Sequence, residues 1–342
     1  MPAAARRNLA LMRIRVAVIG AGSWGTTVAH LAARNKPTML WARREVVADE
    51  INDKHVNSDY LAGYKLHPNL MATTSMEAAV TTADVVVMAV PSSGFRAVME
   101  EMARYLRAWV PVVSLTKGLE QGTRLRMTEV ISEVVPGHPV AVLTGPNLAK
   151  EVLRGDAAAA VIATPDPFIA SKLQQVFANN LFRVYSNDDV TGCEMGGALK
   201  NVIAIASGMA DGLGTGDNTR AAVITRGLAE LTRLGTAMGG DPMTFAGLAG
   251  MGDLVATCIS PHSRNRHVGE ELGKGRTIDE VINEMNMVAE GVKTSKVVME
   301  LATAHGVEMP IASEVHAVCH EGRTAEEAYR GLLPRRAGSE RD

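Results

Sequence analysis

The tightest constraint on this chain lies between Arg13 and Arg34. Ile14-Arg15-Val16-Ala17-Val18-Ile19 is rich in β-branched residues and reads as a buried strand. Gly20-Ala21-Gly22-Ser23-Trp24-Gly25 follows as a G-x-G-x-x-G turn, and Thr26 to Ala33 has helical composition. Glycine at the first place permits the turn. At the second it lets the backbone approach a pyrophosphate, and at the third it lets helix and strand pack closely. The helix behind such a turn offers unpaired N–H groups and the positive end of its dipole. Strand, glycines and helix in this order predict a dinucleotide-binding Rossmann unit, with Gly20, Gly22 and Gly25 at the cofactor.

Downstream, Thr38–Ala42, Asp84–Val90, Val110–Leu115, Val140–Leu143, Ala157–Ala163 and Phe182–Tyr185 read as further strands. Helices are expected at Ser75–Val80, Gly94–Leu106 and Leu125–Val134, whereas Ile51–Leu70, with its scattered Asn, Asp, Gly and Pro, reads as a loop-rich excursion. Strands alternating with helices predict an α/β fold, a mostly parallel, doubly wound sheet covered on both faces. Beyond about Val190 strand-like runs cease. Met195–Met209, Arg220–Met238, Ile278–Asn286 and Ser295–His305 carry helical spacing instead. The expected plan is a Rossmann domain over residues 13–190 and an all-helical domain over 191–333. A disordered extension (1–12) and a mobile tail (334–342) flank them, and Met12 offers a second translation start.

Composition removes several classes of function. A net charge of −2 gives no general attraction to nucleic acid or anionic lipid. No apolar run approaches the ~18 residues of a membrane helix, and Arg6-Arg7 lacks the apolar stretch of an export signal. Cys193, Cys258 and Cys319 are far apart with no C-x-x-C, which points to a reduced, cytoplasmic protein. Basic residues form no stripe interleaved with aromatics, so nucleic-acid binding is not expected. His316, Cys319 and His320 share a helix face but lack a carboxylate motif, and no metal site is expected.

Where a dinucleotide site often carries an acid for the ribose 2′-hydroxyl, this chain has Arg43-Arg44. Two arginines suit a 2′-phosphate and tilt the expectation towards NADPH, with NADH retained. Their alternative is a solvated surface pair. Ligands of open α/β sheets lie off the carboxyl ends of strands. That places Lys117 and the turn Gly145-Pro146-Asn147 near a phosphate or carboxylate, although Lys117 also reads as an ordinary loop lysine. Lys200 stands in a segment with no other charge between Glu194 and Asp211, beside an apolar stripe of Met195, Leu199, Val202 and Ala206. Gly197 and Gly196, three and four residues before it, share its face. They either leave a gap for a small molecule, with desolvation lowering the lysine's pKa, or serve close helix packing with the lysine snorkelling to solvent. Further on, Asp253 is available to pair with Lys200 or with a substrate hydroxyl. Ser263 reads as an N-cap of a helix ending at Gly273, and with Arg264 and Asn265 it forms a candidate anion site.

With these residues in hand, the chain resembles the NAD(P)-dependent glycerol-3-phosphate dehydrogenases of bacterial type, from Met12 to about Gly331. The resemblance is carried by Gly20 to Thr26, Thr116-Lys117-Gly118, Gly145-Pro146-Asn147-Leu148-Ala149-Lys150-Glu151, Gly197-Ala198-Leu199-Lys200-Asn201, Ser263-Arg264-Asn265-Arg266 and Val288-Ala289-Glu290-Gly291-Val292. It implies interconversion of dihydroxyacetone phosphate and sn-glycerol 3-phosphate with NAD(P)H, for phospholipid synthesis, by a homodimer. It makes Lys200 the catalytic acid/base, with Lys117, Gly145, Asn147, Asp253, Ser263, Arg264 and Asn265 at the substrate. Ser23, Trp24, Arg43, Arg44, Lys117, Ala149, Arg264, Val288 and Glu290 would contact the cofactor. The family often has Ser or Thr where this chain has Asn147. Rival expectations are a related lysine-dependent dehydrogenase of a hydroxy acid or ketopantoate, and a non-catalytic nicotinamide sensor.

Overall fold

Eight short strands form one sheet in the order β3-β2-β1-β4-β5-β6-β7-β8. They are β1 (Val16–Ile19), β2 (Thr38–Trp41), β3 (Leu70–Thr73), β4 (Val85–Met88), β5 (Val112–Ser114), β6 (Val140–Thr144), β7 (Ala158–Ala163) and β8 (Phe182–Asn187). The computed structural model describes residues 14–285 and 288–333. The expected extension, its Met12 start, the tail and Asn286 lie outside the described residues. Neighbouring strands are parallel throughout except for β6 and β7, which run antiparallel. Strands β1 and β4 at the centre are fully buried and apolar, because helices cover both faces of the sheet.

The region 51–70 differs from the loop-rich reading. A helix at Glu45–Lys54 runs into it, a short helix occupies Ser58–Leu61, and β3 begins at Leu70. The Glu45–Lys54 helix buries only Val47, Ala48 and Ile51, so its periodicity is faint. Asn57 looks like a turn former in sequence, yet it is fully buried. Its Nδ2 donates to the Ala21 carbonyl and to Thr26 Oγ1, both at 2.9 Å, and so clamps this segment onto the glycine turn.

After β8 the chain is helical. The helix Val190–Gly212 (the central helix) is packed by the helices Asp217–Ala237, Asp253–Ile259, Arg264–Gly273, Glu290–His305 and Pro310–His320. It is buried on every side from Gly192 to Ala210, so the single apolar stripe expected for it is corrected to an all-round core helix. Its tightest partner is the Arg264–Gly273 helix. A Cβ on Gly208 would lie 2.0 Å from the Arg266 carbonyl oxygen, and one on Gly269 would lie 2.0 Å from that of Ile205. Gly212 and Gly273 repeat the contact one turn on, with their Cα positions also in close approach. The two helices therefore touch backbone to backbone.

Candidate active site

The turn after β1 gives each glycine a separate role. Gly20 has φ +118°, and a Cβ there would sit 2.6 Å from the Ala89 carbonyl oxygen. At Gly25 a Cβ would strike the Gly20 carbonyl oxygen at 2.0 Å, so the third glycine serves packing. At Gly22 nothing lies within 4 Å. The helix that begins there, Ser23–Asn35, has no side-chain cap and no acid in its first turn, which leaves its N–H groups and dipole open to an anion. Open space at the middle glycine and an uncapped helix start fit a dinucleotide pyrophosphate. Around this turn, Ser23 Oγ donates to the Tyr60 carbonyl at 3.2 Å. Trp24 packs against Phe182, and its buried Nε1 lacks a hydrogen-bond partner among the described residues. Ala149 begins the helix Ala149–Arg154, which packs on the Ser23–Asn35 helix. Arg43 and Arg44 follow β2 directly, and both are exposed.

A second cluster forms where β5, β6 and the central helix meet. Lys117, just past β5, donates to the Gly145 carbonyl at 2.8 Å and to Asp253 Oδ2 at 2.7 Å. Lys200 donates to Asp253 Oδ1 at 2.6 Å and to Thr257 Oγ1. One buried carboxylate is thus shared by two ammonium groups. Lys200 is 5% exposed and does not snorkel to solvent. Burial is the main influence on it and lowers its pKa to about 8, with Asp253 opposing and Lys117 assisting the shift. The glycines beside it leave no gap, which corrects the vacancy reading. A Cβ on Gly196 would lie 2.6 Å from the Ala249 carbonyl oxygen, and one on Gly197 would lie 2.9 Å from Thr144 Oγ1 and 3.5 Å from Lys117 Cγ. Gly197 therefore admits the stem of the second lysine. Thr144 Oγ1 and Asn147 Oδ1 are buried without a partner among the described residues. Asn147 spends its amide group on the Ala159 carbonyl of β7, at 2.8 Å.

The helix with Ser263 as its N-cap is present where the sequence places it. Ser263 Oγ caps its helix by accepting from the Arg266 N–H at 3.2 Å, and the helix ends at Gly273. Arg264 is exposed and makes no ion pair or hydrogen bond among the described residues. Surrounding protein holds its pKa below the usual arginine range, with Glu290 opposing. Arg266 is instead committed to Asp211 at 2.7 Å. Asn265 donates to Asn201 Oδ1 and accepts from the Gly291 N–H, each at 2.9 Å, while Asn201 donates to the Lys117 carbonyl at 2.9 Å. This chain of amides locks the Lys117 loop, the central helix, the Arg264–Gly273 helix and the start of the Glu290–His305 helix together. Glu290 accepts from Ser92 N–H at 3.1 Å and Ser92 Oγ at 2.6 Å, next to Gly118. Val288, just before that helix, is 37% exposed.

Two family models cover most of the chain: the N-terminus of NAD-dependent glycerol-3-phosphate dehydrogenase matches residues 15–170, and its C-terminus matches 189–330. The chain belongs to the NAD-dependent glycerol-3-phosphate dehydrogenase family. It is 59% identical over 329 residues to glycerol-3-phosphate dehydrogenase (NAD(P)+) 2 of Sphingopyxis alaskensis, covering 96% of this chain and 99% of that protein. A Mycobacterium tuberculosis relative, glycerol-3-phosphate dehydrogenase (NAD(P)+) 1, is 58% identical over 327 residues, 95% of this chain and 96% of that protein. The crystal structure of glycerol-3-phosphate dehydrogenase from Coxiella burnetii superposes with a TM-score of 0.90 at 38% identity, covering 94% and 99% of the two chains. A ketopantoate reductase from Ralstonia eutropha, at 16% identity and a TM-score of 0.58 over 92% of this chain and 100% of that one, shares the fold alone. Within this cluster, Thr257, Asn201 and the contact of Ser92 with Glu290 have roles that sequence reasoning did not assign. Thr257 was findable: it lies four residues after Asp253 and so shares its helix face. Ser92 and Asn201 act through contacts distant in sequence, which spacing does not report.

Proposed function

We propose that this chain interconverts dihydroxyacetone phosphate and sn-glycerol 3-phosphate with NAD(P)H. The observation that carries the reading is the buried Lys200, sharing Asp253 with Lys117, one helix away from an unpaired arginine. When bound, the reduced nicotinamide supplies the hydride for the C2 carbonyl carbon. Lys200 has three N–H donors as an ammonium. Asp253 and Thr257 take two of them, and the third remains for the substrate oxygen. As the carbonyl becomes an alkoxide, Lys200 donates that proton and is left neutral. In the reverse direction neutral Lys200 accepts it. A pKa of about 8 suits both roles near neutral pH. Lys117 binds the other oxygen of Asp253, holding the carboxylate and so the orientation of Lys200. Arg264 and the Ser263-capped turn would take the phosphate, and Gly145 and Asn147 would border the substrate, so that remote binding energy positions the carbonyl.

The cofactor-binding set is Gly20, Gly22, Ser23, Trp24, Gly25, Arg43, Arg44, Lys117, Ala149, Arg264, Val288 and Glu290. The exposed Arg43 supports a preference for NADPH, with NADH also accepted. The division into a Rossmann domain (13–190) and a helical domain (191–333) accords with the two matched spans. A cytoplasmic homodimer supplying glycerol 3-phosphate for phospholipid synthesis is the biological setting we assign. No helix among the described residues is long and apolar enough to cross a membrane. The test is cofactor oxidation by purified protein with dihydroxyacetone phosphate, NADH and NADPH in parallel. Turnover with either is expected. Failure with both, or equal turnover of ketopantoate, would overturn the reading.

A further inference from the structure

We propose that Asp59 limits the preference for a 2′-phosphorylated dinucleotide by holding Arg44 in an ion pair. This rests on the cofactor reading above. The two arginines after β2 are in opposite states. Arg43 is exposed and makes no ion pair or hydrogen bond among the described residues. Arg44 meets Asp59 Oδ2 at 2.6 Å, and its guanidinium carbon lies 5.8 Å from the centre of the Tyr60 ring.

Asp59 is not a loose surface acid. It sits on the short helix Ser58–Leu61, which is held by the glycine turn and by the helix Glu45–Lys54. Asn57 donates to Ala21 and Thr26 of that turn, and Ser23 Oγ donates to the Tyr60 carbonyl. Glu50 accepts from Ser58 N–H at 2.8 Å and Ser58 Oγ at 2.7 Å. The carboxylate is therefore carried to the end of β2 by a braced segment, although the residues of β2's own end are basic.

A ribose 2′-hydroxyl is neutral and donates to a carboxylate, whereas a 2′-phosphate is repelled by one and attracted to guanidinium. With Asp59 present, Arg44's charge is neutralised and Arg43 alone counts fully towards a phosphate. The chain then accepts either dinucleotide, with less discrimination than two free arginines would give.

The experiment is calorimetric titration of the full chain with 2′,5′-ADP and with 5′-AMP, which differ only at the 2′ position. Asp59→Asn should tighten 2′,5′-ADP by about fivefold, the scale of a half-exposed ion pair, and leave 5′-AMP within about twofold. Asp59→Ala should behave alike. Adding Arg44→Gln to Asp59→Asn should abolish the gain. An unchanged ratio of the two affinities in both Asp59 variants would overturn the proposal, as would a gain that survives loss of Arg44. Reduction of dihydroxyacetone phosphate is not read in these titrations. Its absence would overturn the assigned reaction and leave this result standing.

Discussion

Glycine removes the same atoms at the turn after β1 and in the helix pair behind Lys200, with opposite results. A side chain on Gly22 would meet nothing, whereas one on Gly208 or Gly269 would enter the facing backbone. In the first region the missing side chain leaves room that the chain itself does not fill. In the second the room is consumed by protein. What that contact secures is a distance. Lys200 lies two turns before Gly208 on one helix, and Arg264 opens the helix that Gly269 seats against it. With no side chains between the two backbones, no rotamer is available to relax the spacing of Lys200 and Arg264.

Four changes would break or sharpen this contrast. The largest effect is expected from Lys200→Met, which keeps the apolar stem and removes the proton. It should lower kcat by about a thousandfold, with cofactor affinity by fluorescence titration unchanged, and near-normal turnover would end its catalytic assignment. Gly269→Ala should come next. A methyl group 2.0 Å from the Ile205 carbonyl oxygen has nowhere to go, and overpacking of this kind costs about 3 kcal/mol. Denaturant unfolding would read it, and an unaltered midpoint would show that the helices are free to separate. Gly22→Ala should do the reverse. Its φ of −72° suits alanine, so the unfolding midpoint should hold while affinity for the dinucleotide falls about tenfold, or 1.4 kcal/mol. The smallest effect is that of pH. With Lys200 at about 8, carbonyl reduction should fall as pH rises through that value and alcohol oxidation should rise, so a reduction rate flat from pH 7 to 9.5 would argue against Lys200 as the donor. Stability follows with a definite sign. The folded pKa is below the ordinary value of 10.5, so the unfolded chain binds more protons between the two. The cost of burying the ammonium is fully present below about pH 8 and is relieved as pH rises towards 10.5.

The same contrast explains what could be read from sequence. The Rossmann half was legible because its information is local: β-branched runs, a glycine turn and helices of ordinary spacing appear as strands and turns of the expected order. The helices Ala149–Arg154 and Pro167–Phe177 went unread, and the misread stretch 51–70 is stabilised by contacts across the chain, such as Asn57 to Ala21, that no local pattern encodes. In the helical half the segments were legible and their environments were not. Gly196 and Gly197 were recognisable as unusual, but only coordinates show that Ala249, Thr144 and Lys117 fill the space they leave. Lys200, Asp253 and Arg264 were found by residue type and sparse charge. The sharing of Asp253 by two lysines, and the bond between Asn201 and Asn265, depend on the fold to bring residues more than fifty positions apart into contact.

The single antiparallel step in the sheet has a consequence for direction of travel. Because β7 reverses against β6 and β8 follows β7, the chain leaves the sheet heading away from the carboxyl ends of β5 and β6. The central helix must then turn back and climb alongside β6 in that strand's own sense. Cys193 packs with Val142, and Gly197 lies level with Thr144, the last residue of the strand. At 1.5 Å per residue, Lys200 emerges about 4.5 Å beyond the strand's end. One reversed strand pair thus converts a sheet edge into a ramp, and the ramp sets the height at which Lys200 stands above the sheet.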